Sequence, residues 1–540
     1  MAVSVATTRP VAQRTKWRSW PLWIALLLGT LTTLPYLYAA TDVPADRVYT
    51  GLMLDAPDTL QYFSWLRDHR EALLVPNRMT AQPNEPALFN LLWLALAQLQ
   101  NLTGWSNAAI FQVLRLMGGA SFLAAAWWFY SLASRTTHER AWAWLIAGCG
   151  GGLGVVWVVE KYARGLADVR YPFDLYVAEP NTLLSLLGYP HFLVAGALVV
   201  AIFAAALQAT RGDWRWWLAA AALGLILALQ HAYDLLSVYA VLGGWLALLA
   251  VRERAIPWRA VGGTVLVGVV SFPPAGYFAW LTSRDPLWRA VLSQFTNAGV
   301  WTPSPPHLLI LMGVPLIATI SGWTGLRPLR ERSDGELLVK VWCIAGLGLI
   351  YLPVSFQIHL LNPWQIPIAL AAVWGAQRRL IPWLDRRRAA LGRWVLPLLL
   401  ALSLPTNLYL LAWRFVELER RAAPYYLRTD EAAALGWLAA NTTGDDVVLS
   451  DLNFGQFVPA ETDARAVLAH WAQTVDFYRT RDDVARALDP ATDATARQAL
   501  LDRYGASYVV VDTTIEDDAL RLVWSGAQLW IYAVDDSHAP

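Results

Sequence analysis

The chain is punctuated by eleven apolar runs, and the connections between them alternate between Arg-rich and acid-bearing. A helix needs roughly 20 apolar residues to cross hydrocarbon, and Lys/Arg-rich connections stay on the cytoplasmic side, so run length and charge test each other. The first run, about Pro21 to Ala40, follows Arg9, Arg14, Lys16 and Arg18, which predicts an N-terminus inside and a retained anchor. Further runs begin near Asn107, Ala141, Phe192, Trp214, Asp234, Ala260, Leu308, Leu337, Leu361 and Trp394. Arg135/Arg140, Arg211/Arg215, Arg252/Arg254/Arg259, Arg327/Arg330/Arg332 and Arg378 through Arg393 mark alternate connections. The other connections, Thr41–Ser106, Glu160–His191 and Arg284–His307, carry the acids. About eleven transmembrane helices follow, with the C-terminal tail outside.

Two local arguments sharpen this topology. The 39 residues from Trp214 to Arg252 would make one helix of about 58 Å, nearly twice a hydrocarbon core, so a turn must fall midway. The polar cluster Gln230-His231-Ala232-Tyr233-Asp234 occupies that midpoint and belongs at the outer surface. Counting Pro86–Leu99 as a span would reverse every later Arg cluster, so it reads as an interfacial or re-entrant helix. The 15% charged and 56% hydrophobic composition exclude an ordinary soluble enzyme. Trp127-Trp128, Trp214 with Trp216-Trp217, and Trp413 stand at run ends as interface anchors.

After Arg414 the balance turns acidic and the pattern changes. Asp446–Asp451, Arg465–His470, Tyr508–Thr513 and Leu529–Val534 read as strands; Thr429 onward, Arg481–Leu488 and Ala494–Tyr504 read as helices. The expected organisation is a cytoplasmic segment over 1–20, a transmembrane domain over 21–413 with a long first outer loop over 41–106, and a small extracytoplasmic α/β domain over 414–540.

The first outer loop is the place to look for chemistry. Asp58 with Gln61 fits a capping box, whereas Asp55 lies one turn upstream with no equally good structural explanation. The loop helix reads Asp58-Thr59-Leu60-Gln61-Tyr62. Tyr189-Pro190-His191, the His231–Asp234 turn, Phe272-Pro273-Pro274, Tyr351-Leu352-Pro353 and Phe356-Gln357 stand at later run ends or turns. Together with the in-facing anchor and the outer tail, these features resemble membrane glycosyltransferases of the C-type fold, and within them uncharacterised bacterial members. The resemblance implies transfer of a sugar from a polyprenyl-phosphate donor to a lipid, glycan or protein acceptor outside the cytoplasmic membrane, with inversion. Many such relatives open the loop helix Asp-Glu-x-x-Tyr, so the Glu is missing here; they also place an Arg after the Gln, where this chain has Ile358-His359.

Such transfer needs a carboxylate to take the acceptor proton and cationic or hydrogen-bonding groups for the departing phosphate. Asp55 is the candidate base, with Asp58 beside it. Arg115, the one strong charge inside the second span, joins His191, His231, His359 and Gln357 as phosphate or substrate candidates, with Asp234 placed to orient His231 if the backbone there is helical. A divalent metal is not favoured: Asp55 and Asp58 would need a third ligand such as Asp174 or Glu179. Trp471, Asp476 and Phe477-Tyr478 could touch an acceptor, although core packing is the commoner role of such aromatics.

Gly148 to Gly154 lies within a span and serves helix packing rather than phosphate, and no feature points to nucleic acid. Cys149 and Cys343, both in apolar runs, offer neither a disulfide framework nor a zinc cluster. Two other classes stay open: a transporter or lipid flippase, which should show broken helices at mid-membrane, and a non-catalytic scaffold of the same fold.

Overall fold

A computed structural model of the chain describes residues 19–166, 173–294, 303–323 and 328–534. The basic residues Arg9, Arg14, Lys16 and Arg18, and Arg327, lie outside them. The bundle runs α1 (Trp20–Thr41), α2 (Ala56–Asp68), α3 (Leu91–Thr103), α4 (Asn107–Ala133), α5 (Thr137–Cys149), α6 (Gly154–Ala163), α7 (Thr182–Gly188), α8 (Pro190–Thr210) and α9 (Arg215–Ala228). It continues through α10 (Asp234–Glu253), α11 (Trp258–Arg284), α12 (Pro286–Ser293), α13 (Pro305–Trp323), α14 (Asp334–Leu349), α15 (Gln365–Gly375), α16 (Ile381–Arg387), α17 (Val395–Ser403) and α18 (Pro405–Leu418).

Every run read from the sequence coincides with a helix. Among the described residues, eight helical segments are long and apolar enough to cross a membrane. The other three runs are α9, α14 and α15, helices of 14, 16 and 11 residues. α8, apolar all round, is the central helix: Val199 through Ala206 are buried, apart from the half-buried Ala201. The long polar midpoint resolves as expected, with a turn between α9 and α10 at His231. Pro86–Leu99 becomes an extended stretch followed by α3, whose N-terminus is capped by Asn90 through the N–H groups of Leu92 and Trp93. At 13 residues α3 is about 20 Å long, too short to span.

Several helices break at one place. α5 and α6 are separated by Gly150 to Leu153, Gly313 interrupts α13 with φ 65°, and α17 gives way to α18 at Leu404. The freed backbone groups satisfy one another: Leu153 N–H donates to Ile310 O, Gly151 N–H to Ser403 O, and Thr406 Oγ1 to Gly152 O. Only glycine fits against the neighbouring carboxylate, since a Cβ on Gly154 would lie 2.1 Å from Asp174 Oδ1.

The tail is an α/β unit whose strands are β3 (Val447–Leu449), β4 (Arg465–Ala466), β5 (Tyr508–Val511), β6 (Leu520–Ser525) and β7 (Trp530–Val534), in the order β4-β3-β5-β7-β6. β4, β3 and β5 are parallel; β7 and β6 continue the sheet antiparallel. Its helices are α19 (Thr429–Asn441), the single turns α20 (Leu452–Gly455) and α21 (Val458–Glu461), α22 (Phe477–Leu488) and α23 (Ala494–Tyr504). β6 was missed in the sequence because its face pattern, buried only at Leu520, gives no clear alternation.

The first loop and the tail form one structure. β1 (Arg47–Tyr49) pairs antiparallel with β2 (Tyr426–Arg428), with Val48 opposite Leu427. Farther along, Ala466 N–H donates to Arg78 O, and Thr80 pairs with Leu468. The loop therefore continues the tail's sheet beyond β4.

Candidate functional site

α2 begins where Pro57 fixes the backbone for a first helical turn. The N-cap position is Asp55, held left-handed at φ 43°, ψ 60°, and its side chain caps nothing. Asp58 lies inside the first turn, so the expected Asp58–Gln61 capping box does not form. Asp58 is free for another partner, and finds one in the tail: His470 Nε2–H donates to Asp58 Oδ1 at 2.9 Å. The tautomer of His470 follows from its other nitrogen, which accepts the backbone N–H groups of Ala472 and Gln473 at 3.0 and 3.2 Å. A ring whose Nδ1 accepts must carry its proton on Nε2. Thr474 Oγ1 accepts from the N–H of Ala469 and of His470 and donates to Met79 O, tying this turn to the first loop.

The two carboxyls are driven apart. Burial, with the charge of Asp58, pushes the Asp55 carboxyl well above the usual carboxylate range. Burial pushes Asp58 the same way, but the hydrogen bond from His470 and the nearby His191 and His359 outweigh it and hold Asp58 below its ordinary value. The surroundings bias Asp55 toward its neutral form and Asp58 toward its ionised form.

Asp58 faces a cavity of ≈ 360 Å³ that His191, His231 and His359 also line, with Tyr62 and Trp93 on one wall and Trp471 and Gln473 from the tail on another. α8 presents His191 at its first turn, its ring 5.9 Å from that of His231; His191 Nδ1 is buried without a partner, and Nε2 is 3.4 Å from the Tyr62 hydroxyl. His231 Nδ1–H donates to Asp234 Oδ2 at 2.8 Å, and the Tyr233 hydroxyl donates to His231 Nε2 at 2.7 Å. Asp234 orients His231 although a turn, not a helix, separates them; Asn362 Nδ2 donates to the same Asp234 oxygen at 3.0 Å. His359 Nδ1–H donates to Glu179 Oε1 at 2.6 Å. Burial lowers the His359 imidazole, but the hydrogen bond and charge of Glu179, with Asp234 and Asp58, outweigh it and raise it above its ordinary value. His191 and His231 stand at the ends of α8 and α10 opposite Arg211 and Arg252.

Three expected participants sit elsewhere. Arg115 is fully buried in α4, where Nε donates to Gln112, one Nη to Thr32 Oγ1 and Leu186 O, and the other to Thr33 Oγ1. It is absent from the cavity lining. Asp55 is likewise outside the lining, hydrogen-bonded to the Tyr189 hydroxyl. Gln357 opens the short turn that carries His359 but does not line the cavity. Asp174 accepts the Gly154 N–H at 2.6 Å and caps α6, so it supplies no third ligand to Asp55 and Asp58. Among the described residues no group of three or more His, Cys, Asp or Glu is arranged to hold a metal ion. His470 was missed in the sequence, although a His closing a Val/Ala-rich strand just before Trp471, in a tail assigned to the same side as the first loop, was a usable signal.

No protein-family model matches the sequence, and no curated protein matches it, so the short motifs that resembled uncharacterised bacterial members have no sequence-level support. Solved structures do match. The oligosaccharyltransferase of Archaeoglobus fulgidus in its apo form superposes with a TM-score of 0.56 at 12% identity, over 97% of this chain and 75% of that one. ArnT from Cupriavidus metallidurans, bound to undecaprenyl phosphate, gives 0.52 at 13% identity over 96% and 99% of the two chains. The arabinofuranosyltransferase AftD from Mycobacteria gives 0.55 at 16% identity, over 96% of this chain and 40% of that one. The chain has the C-type fold of membrane glycosyltransferases: a multi-pass helical membrane protein with a small C-terminal sheet domain.

Proposed function

We propose that the protein is a membrane glycosyltransferase that moves a sugar from a polyprenyl-phosphate donor to an acceptor hydroxyl or amide, with Asp58 as the base. One observation carries this reading: an ionised carboxylate faces three imidazoles across a single cavity of ≈ 360 Å³. The cavity is of a size to admit a sugar phosphate. Asp58 takes the acceptor proton as the acceptor atom attacks the anomeric carbon; the carbon–oxygen bond to phosphate breaks, and that oxygen keeps the electron pair. The His359 imidazole, whose Nδ1–H is held by Glu179 and whose protonated form Glu179 favours, and that of His191 stabilise the charge that develops on the phosphate, while His231, with both ring nitrogens occupied, positions the Tyr233 hydroxyl. Attack from the Asp58 side with departure toward the histidines is a single displacement and inverts the anomeric centre. Asp55, which the sequence favoured as base, is biased toward its neutral form by burial and by Asp58 and lies outside the cavity lining, so it limits the negative charge beside Asp58.

The same reading places the cavity, and with it the tail over 414–540, on the outer face of a cytoplasmic membrane, with the Arg-rich helix ends inside. The test is release of polyprenyl phosphate from a panel of polyprenyl-phosphate sugars by the purified protein in lipid. No release with any of them, at a detection limit of one turnover per hour, would remove the transfer reading.

One observation favours a transporter instead: the three helix breaks that meet at Gly151, Gly313 and Leu404, beside the buried Asp174. Substrate flux across proteoliposomes without a covalent product is its test.

A further inference from the structure

Small residues line the space between α1 and α4. Gly29 and Ala25 on one side and Gly119 and Ala120 on the other leave a trough of ≈ 550 Å³, whose rim carries Leu26 and Leu37, 60% and 54% exposed. The trough shares Thr33, Leu37 and Leu116 with a second space of ≈ 670 Å³ above it, so the two form one groove from the apolar flank of the bundle up to the tail. No residue of this groove lines the histidine cavity: Asp58, Gln61, Tyr62 and Trp65 of α2 face the cavity, whereas Arg67 faces the groove.

The upper chamber is polar in a particular way. Arg67 is committed to Asp463, to which both Nε and one Nη donate, Glu461 stands beside it, and Arg70, whose Nε donates to Asn101 Oδ1 at 3.0 Å, brings a second cation to the lining. The rest of its polar lining is hydroxyl and amide: Thr50, Ser106, Asn107, Gln112, and two groups with unmet capacity. Gln100 is 8% exposed and its Oε1 is buried without a partner; the Tyr49 hydroxyl is also buried without one. Buried polar atoms of this kind are costly unless something completes them. At the junction of chamber and trough, Thr33 and Gln112 are the groove wall, and behind them lies the Arg115 guanidinium. Its acceptors are all neutral, and among the described residues no carboxylate pairs with it. An uncompensated cation at that depth attracts an anion to the wall it supports.

We infer that the α1–α4 groove is a second lipid site, separate from the histidine cavity, for a lipid whose hydrocarbon tail is joined through a phosphate to a hydroxyl-rich head. The tail lies in the Gly29/Ala120 trough, the phosphate at the Thr33/Gln112 wall over Arg115, and the head hydroxyls meet Gln100 Oε1 and the Tyr49 hydroxyl. Binding is measured without donor or turnover, so its failure leaves the transfer reading untouched, and the reverse.

The probe is phosphatidylinositol, offered to the full-length protein in phosphatidylcholine nanodiscs and counted by native mass spectrometry against phosphatidylglycerol, monogalactosyl diacylglycerol and diacylglycerol of the same chains. The expected result is one retained phosphatidylinositol, bound about tenfold more tightly than either the sugar lipid without phosphate or the phosphate lipid with a smaller head. A120F, which fills the trough, should abolish retention, and R115Q should erase the preference over the galactolipid. Y49F removes a hydroxyl that bonds to no protein group, so it keeps the fold and should weaken phosphatidylinositol about threefold. Equal retention of all four lipids, preference for phosphate alone irrespective of head, or undiminished retention by A120F would each overturn the proposal. If R115Q does not fold, Y49F and A120F still decide it.

Discussion

His470→Ala removes three hydrogen bonds at once, and the consequence can be sized. The bond to Asp58 is to an ionised acceptor, worth roughly 1.5–3 kcal/mol when buried; Asp58 is 34% exposed on its side chain, so the lower end applies. The backbone N–H groups of Ala472 and Gln473 lose Nδ1 as acceptor, at roughly 0.5–1 kcal/mol each after water replaces it. Together about 3 kcal/mol of local closing energy disappears from the turn that joins tail to first loop. Amide exchange through local opening should then accelerate on the order of 100-fold across residues 470–474, while β5 and β7 keep their protection. Hydrogen exchange read by mass spectrometry measures it. D58N is the control, since its amide oxygen still accepts from Nε2–H and exchange should rise less than about tenfold. Exchange within threefold of wild type in His470→Ala would refute the claim that this residue couples tail to loop.

Three other outcomes follow from the same contacts. Gly154→Ala puts a Cβ 2.1 Å from Asp174 Oδ1 and should cost about 3 kcal/mol or prevent folding, whereas Gly262→Ala, in α11 with nothing within 4 Å, should be neutral or raise the thermal midpoint slightly. Asp55 has a folded-state value above its unfolded 3.8, so the folded protein holds a proton the unfolded chain has released, and stability falls as pH rises from about that value through the folded one. Asp55→Asn cannot ionise, so the thermal midpoint of the variant should gain on wild type as pH rises through that window; parallel curves would sink the assignment. Glu179→Gln withdraws the carboxylate that raises His359, so transfer should fall about tenfold at neutral pH and recover in part toward acid pH, where the imidazole regains its proton, seen in a kcat profile.

The spans and the sheet were legible because each is written in local pattern. Apolar runs bracketed by Arg placed each of the eight described segments long and apolar enough to span, and Val-rich segments placed four of the five strands of the tail's sheet. The site was legible only in part. Topology put Asp58, His191, His231 and His359 at one end of the bundle, and they share a cavity. Arg115 shows the limit: an intramembrane charge looks functional from sequence, but whether hydroxyls of a neighbouring helix satisfy it depends on how α1 packs on α4, which no spacing reveals. The choice between Asp55 and Asp58 as base was hidden for a similar reason. The opposite bias on the two acids comes in part from His470, 412 residues away in the chain, which donates to Asp58. The remaining strand of that sheet, β6, failed on pattern alone.

The central claim is that Asp58, not Asp55, takes the acceptor proton. The most direct test compares D58N and D55N in release of polyprenyl phosphate from whichever donor the wild-type protein uses. The account predicts a loss of about 10²–10⁴-fold for D58N, the contribution of a positioned base, and less than about threefold for D55N, whose amide resembles the neutral acid it replaces. Full activity in D58N, or a collapse in D55N alone, would contradict it.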